Sequence, residues 1–233
     1  MTAPRALDSL AAEVVACRRC PRLVDWRESA AASPPRRFQG ERYWARPLPG
    51  FGDPGAGVVL VGLAPAAHGG NRTGRMFTGD RSGDFLYAAL HRTGYANQPT
   101  SVSRDDGLRL NDAYVTAAVR CAPPANKPEP AERDACLAYL VRELPLLEHA
   151  RVILCLGSFG WDSALRALRR LGHEAPRPRP RFGHGAEVEL GPYVLLGCFH
   201  PSQQNTFTGK LTPAMIDAVL ARARELSPGA KPA

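Results

Sequence analysis

The feature that most restricts the fold of this chain is a set of four short apolar runs, at 58–62, 114–119, 152–156 and 193–198. Each is rich in Val, Ile, Leu or Tyr, and each is near-continuous rather than alternating. An alternating run has one wet face, whereas a continuous one suits a strand covered on both faces, as in a parallel sheet. Helical periodicity fills the gaps at 83–92, 131–147 and 158–171, and a last helical pattern closes the chain at 213–226. Strand and helix in alternation predict an α/β fold: a three-layer αβα sandwich around a central, mainly parallel four-stranded sheet with right-handed crossovers.

No linker-like composition divides the 233 residues, so the whole chain 1–233 is read as a single domain. It carries an N-terminal helical segment, an extended Pro- and Arg-rich loop at 175–181, and a short frayed tail at 228–233. In open α/β sheets ligands bind beyond the carboxyl ends of the strands. Three runs lead there into loops of Pro, small and polar residues: Gly62-Leu63-Ala64-Pro65-Ala66, Arg120-Cys121-Ala122-Pro123-Pro124 and Phe199-His200-Pro201-Ser202. Those loops should converge on one edge, and that edge is the expected active site.

The formal charge of +8 favours a polyanionic partner, because each Lys or Arg set on a phosphate releases counterions. Genomic base composition alone explains an Arg- and Ala-rich chain equally well. No segment approaches the roughly 20 apolar residues of a membrane span, and none resembles a secretion signal. The expected location is the cytoplasm, where thiols stay reduced, so six cysteines do not imply disulfides. Cys17 and Cys20 form a C-x2-C pair, while Cys121 and Cys136 stand on either side of fourteen residues. Four thiolates hold either zinc or an iron–sulfur cluster, and the split second pair is less typical of a zinc ribbon. Simple burial of all six stays open on spacing alone. Cys155 and Cys198 fall inside strand patterns and read as small hydrophobes.

Three stretches carry a resemblance: GLAPAAHGGNRTGRMFTGDRSGDFLY at 62–87, YVTAAVRCAPPANKP at 114–128 and HPSQQNTFTGKL at 200–211. Together with Cys17 and Cys20, they resemble, in order and across nearly the whole chain, the family 5 (type B) uracil-DNA glycosylases that carry an iron–sulfur cluster. The resemblance implies a monofunctional DNA-repair enzyme that flips uracil or another deaminated base out of DNA and hydrolyses its N-glycosidic bond. It implies a [4Fe-4S] cluster on Cys17, Cys20, Cys121 and Cys136, and a monomer with DNA as its partner. The rivals to set against it are a catalytically silent damage-binding iron–sulfur protein and a zinc-stabilised nucleotide hydrolase.

The resemblance also implies roles. Gly62, Leu63, Ala64, Pro65 and Ala66 line the base pocket with Phe77, on which the base stacks, and Ala117 on the second strand. Related branches place an acid in the first motif and an Asn on the second strand. Here Leu63, Ala64, Ala66 and Ala117 replace them, and losing polar readers loosens base selection. The carboxylate role passes to Asp80, Asn126 joins it, and His200 stabilises the departing base. Pro201, Ser202, Gln203 and Asn205 meet the DNA backbone, and the segment through Phe207 probes the duplex. Read without the family, Asp80 is a turn residue, Phe77 a core plug and Asn126 a turn Asn. Arg72, Arg75, Arg81 and Lys210 are expected on phosphates. His68 and Asn71 fit either phosphate contacts or loop bonds, and His184 receives no role.

Overall fold

The computed structural model describes residues 3–227. The elements run in the order α1 (Ala3–Val15), α2 (Pro21–Ala32), β1 (Phe51–Gly52), β2 (Val58–Gly62), α3 (Gly70–Thr73), α4 (Arg81–Arg92) and β3 (Ala113–Ala117). They continue with α5 (Pro130–Glu143), β4 (Val152–Leu156), α6 (Ser158–Arg170), β5 (Glu187–Leu190), β6 (Tyr193–Cys198), α7 (Gln203–Phe207) and α8 (Pro213–Leu226). The tail expected to fray at 228–233 lies outside the described residues.

Among the described residues, one sheet of six strands, ordered β1-β3-β2-β4-β6-β5, organises the fold. Its centre, β3-β2-β4-β6, is parallel throughout, with Val58 opposite Ala113 and Val152, and Val152 opposite Val194. These are the four runs read from the sequence. The expected count of four strands is corrected to six by antiparallel additions at both edges, β1 beside β3 and β5 beside β6. The edges escaped notice for a physical reason. β1 has two residues, and β5 reads Glu-Val-Glu-Leu with only Leu190 buried. The second strand closes at Ala117 rather than Val119, but Ala118 and Val119 still donate to the carbonyls of Gly62 and Leu63.

The strand period of two assigns the core to two layers. Leu60, Val115, Leu154 and Leu196 face α4 and α8, where Leu86, Leu90, Ile216 and Leu220 cover them. Val61, Tyr114, Ile153 and Leu195 face the other way, onto Leu137 and Leu140 of α5 and Trp161, Ala164 and Leu168 of α6. Cys155 and Cys198 are fully buried in these opposite layers, as expected of small core residues. From β2 the chain passes to β3 on one side, and the later strands build on the other side of β2. The strand order therefore reverses beside β2, and ligand crevices form at such switch points.

Candidate active site and cysteine cavity

A cavity of about 620 Å³ opens at that switch point. Leu63, Ala64, Pro65 and Ala66 form one wall beyond β2, and Asn126, from the loop after β3, forms another. Phe77, Asp80, His200, Ser202 and Gln203 complete it, so the sequence-predicted loops do converge. Gly62 lies beneath: a Cβ there would stand 2.8 Å from the Phe77 ring, so glycine lets that ring lie over the end of β2. Ala117 is buried in register with Gly62 and does not reach the cavity wall. Met76, Ser82, Ala125 and Gln204 also line the cavity and were not singled out from sequence.

The backbone here is strained. Phe77, Ala125 and Asn126 hold φ values of 50°, 52° and 55°. Left-handed backbone at non-glycine residues costs roughly 1–3 kcal/mol and persists only where the surroundings impose it. Asn is the residue that tolerates this best; Phe and Ala have no such preference. Sequence therefore offered no signal for Ala125.

Asp80 is the N-cap of α4, its Oδ1 accepting from Gly83 N at 3.0 Å. Neither a plain turn residue nor a free carboxylate, it has a fixed direction. Its Oδ2 occupies the space a Cβ on Gly69 would take. Burial raises its pKa from the ordinary carboxylate value, against the backbone N–H groups of Gly83 and Ser82. Asp84 sits in the first turn of α4, where the helix dipole favours it. Asp80, Ala66, Asn126 and Gln203 also line a second cavity of about 850 Å³, so Asp80 stands on the wall shared by the two.

His200 is half-buried, its ring 6.0 Å from that of Phe77. Desolvation pushes its pKa down to about 4, so the imidazole is neutral at physiological pH. Its main chain is held from both sides. Asn205 Nδ2 donates to His200 O at 2.8 Å, and the N–H of neighbouring Phe199 donates to His184 Nδ1 at 3.2 Å. His184 also stacks on Phe199, with centroids 5.0 Å apart. The role missing from the sequence reading is thus a brace for the strand end that presents His200. Ser202 caps α7 by accepting from Asn205 N, Pro201 is buried, and Phe207 is 68% exposed.

Two arginines expected on phosphates are committed inside the protein. Arg75 is 4% exposed and pairs with Asp106 at 2.7 Å while also reaching Ser101 and Thr78. Burial alone would raise the Asp106 carboxyl. Arg75 and the N–H groups of Leu108, Val102 and Ser103 instead hold it well below its usual range. Arg72 spans Glu41, His68 O and Gly79 O, bracing the loop before Asp80. The physical reason is reach: a guanidinium in a tight loop satisfies several carbonyls at once. Arg81 and Lys210 remain exposed, over the rings of Phe207 and Phe199. His68 bonds Tyr43, and Asn71 is buried with its Nδ2 on Arg27 O and Ala67 O, so both serve the loop.

Cys17, Cys20, Cys121 and Cys136 line one small cavity between α2, α5 and the loop after β3. Cys17 follows α1, Cys20 precedes α2, and Cys136 lies within α5. Burial pushes the Cys20, Cys121 and Cys136 thiols up, to about 12 for Cys121 and about 11 for Cys136. Among the described residues no group of three or more His, Cys, Asp or Glu side chains is placed to hold a metal ion.

The model of the family described as the Uracil DNA glycosylase superfamily matches residues 49–224. The chain belongs to the uracil DNA glycosylase superfamily. A type-5 uracil-DNA glycosylase of Mycobacterium bovis is 55% identical over 94% of this chain and 81% of its own length. A type-5 uracil-DNA glycosylase of Thermus thermophilus is 51% identical over 92% of this chain and 95% of its own. A type-4 uracil-DNA glycosylase of Pyrobaculum aerophilum is more distant, 32% identical over 58% of this chain and 60% of its own. The superfamily match starts at residue 49, after Cys17 and Cys20, but the type-5 relatives match over nearly the whole chain.

Proposed function

We propose that this protein is a monofunctional uracil-DNA glycosylase of the type-5 kind, a hydrolase of N-glycosyl bonds that also accepts other deaminated bases. The observation that carries the reading is one cavity holding Phe77, a neutral His200 and a capped Asp80 together at the strand switch point. The base flips out of DNA and stacks on Phe77. As the N-glycosidic bond breaks, its electron pair leaves with the base, and the ring N–H of His200 donates to the anion that forms. A neutral donor needs no proton transfer to do this. Water adds to the sugar carbon left behind and gives up a proton, which ends on the base anion, with Asp80 facing the cation and the attacking oxygen and Asn126 beside it. Leu63, Ala64 and Ala66 bring no polar side chain to the base, so selection by hydrogen-bond mismatch is weak. Among the described residues no Lys lines the cavity, which argues against a Schiff-base lyase step.

Arg81, Lys210 and α7 form the edge that meets DNA, with Pro201, Ser202, Gln203 and Asn205 shaping the loop and exposed Phe207 as wedge. Among the described residues no helix is long and apolar enough to cross a membrane. The proposed partner is DNA carrying uracil or another deaminated base, met by a cytoplasmic monomer.

Cys17, Cys20, Cys121 and Cys136 hold a [4Fe-4S] cluster in this reading. A single ion needs its donors drawn around one centre, whereas a cubane offers a separate iron to each thiolate. Four thiols on one cavity, beside the buried cations Arg27 and Arg120, fit the latter. The cluster supplies a tie between the N-terminal helices and the sheet, and no step of the hydrolysis runs through it.

The test is excision from single- and double-stranded oligonucleotides carrying uracil, hypoxanthine or xanthine, followed by alkali. Cleavage at uracil and at least one other deaminated base is expected. Binding without alkali-labile sites would overturn the enzyme reading, and cleavage confined to uracil would overturn the broad pocket.

A further inference from the structure

We propose that Arg27 is the counter-charge of the cluster and joins it to the loop that walls the base pocket, an inference that rests on the cluster reading above. Arg27 lies in α2 and is 2% exposed. Its Nη1 donates to Cys121 Sγ at 3.1 Å, and its two Nη atoms reach Cys17 O at 3.4 and 3.5 Å. Its Nε is buried with no partner. The carboxylate within ion-pair range is Glu28 at 3.9 Å, but that side chain is 44% exposed and already takes Arg18. The contrast is Arg120, equally buried near Cys136, which has Glu143 as its own counter-ion. Among the described residues Arg27 has no such buried carboxylate.

A buried guanidinium whose carboxylate in range is part-exposed and shared with Arg18 is under-compensated, since charge taken out of water must be repaid by a partner of opposite sign. Four thiolates around an iron–sulfur core leave a net negative charge beside Arg27. That anion completes the arrangement the protein leaves open.

The same residue faces the site through its main chain. Arg27 O accepts from Asn71 Nδ2 at 3.1 Å, and Asn71 is fully buried in the loop whose Ala66 and Gly69 line the cavities. The side chain thus answers to the cysteines and the carbonyl to the pocket loop. Arg27 is a positioning residue, and no reacting atom touches it.

A merely structural Arg27, capping α1 through Cys17 O, would leave the cluster's electronics alone. The deciding measurement is therefore the one-electron reduction potential of the full-length, iron-loaded protein, by film voltammetry, with iron per chain. Arg27→Met should disfavour the reduced cluster at least tenfold, a fall of about 59 mV, and should lower iron retention. Arg27→Lys, which keeps the charge, should lie nearer wild type on both. Loss of iron in Arg27→Met with a loaded Arg27→Lys would equally support the assignment. Wild-type potential in both variants, or loss of iron from both, would overturn it. A colourless, iron-free wild type would overturn the cluster and this proposal together, whereas a brown wild type with unmoved variants overturns Arg27 alone.

Discussion

At the scale of single residues, the site depends on side chains whose settings set their chemistry. Gly62 is the clearest steric case. Its missing Cβ is what admits the Phe77 ring, so Gly62→Ala must push that ring off the end of β2. Overpacking of this kind costs about 1–3 kcal/mol. The expected outcome is a modest fall in melting temperature with a much larger fall in excision, read from single-turnover rates. Unchanged excision would show that Phe77 does not position the base. His200 is the electrostatic case. Desolvation holds its pKa near 4, so the ring stays neutral across the range where an unperturbed imidazole titrates. His200→Ala should cut the rate by roughly 10²–10³, as for loss of an oriented donor to a developing anion, while duplex binding survives. In the wild type, kcat/KM should show no inflection near pH 6.5 from this residue. An inflection there that vanishes in His200→Gln would mean that protonated His200 is the acid. These roles were partly legible in the chain. His200 follows a strand, which puts it on the right edge, whereas Asp80 after Gly79 reads as a turn residue and only the family resemblance gives it a carboxylate role. What sequence could not convey was that Asp80 caps α4, that Arg75 is buried on Asp106, or that Ala125 is left-handed. Each of those depends on neighbours distant in the chain or on a conformation the residue type does not favour.

Among elements, legibility followed burial. β2, β4 and β6 were read at their true limits because each is covered on both faces, leaving a continuous apolar run. β1 and β5 pair antiparallel at the rims, where length and apolar content both fall away. α7 is the element whose form matters most for DNA. It is a single short turn of helix, capped by Ser202, tied to His200 by Asn205, and presenting Phe207 to solvent with Arg81 over its ring. An aromatic ring this exposed beside the base pocket fits a wedge that fills the gap left by an extruded base. A wedge is needed only where a base pair must be opened. Phe207→Ala should therefore slow excision from duplex severalfold and leave excision from single strands near wild type, giving a changed ratio of the two rates. Equal loss on both substrates would mean that the ring supports α7 instead.

For the molecule as a whole, the proposed cluster bears on how firmly the N-terminal helices are held to the sheet. α1 has some hold of its own, since Leu7 enters the layer beneath α5 and Leu10 and Val14 pack on Tyr139. α2 has less: Leu23 packs on Val119 and Cys121, Arg22 pairs with Glu132, and most of its outer face is exposed. The sheet, by contrast, is closed over on both sides by α4, α8, α5 and α6 without any contribution from Cys17, Cys20, Cys121 or Cys136. The proposed cluster at Cys17, Cys20, Cys121 and Cys136 would thus stabilise one end of the fold far more than the other, because ligand binding free energy is felt by the segments that the ligand joins. Local opening follows that division. Stripping the iron with a chelator under oxidising conditions should raise amide hydrogen exchange across 17–32 and in the loop around Asn71, which hangs from Arg27 O. Exchange in β2, β4 and β6 should stay slow. Uniform loss of protection over the sheet would mean that the cluster holds the whole core. Unchanged exchange in α2 would mean that the helix is docked by its side chains alone.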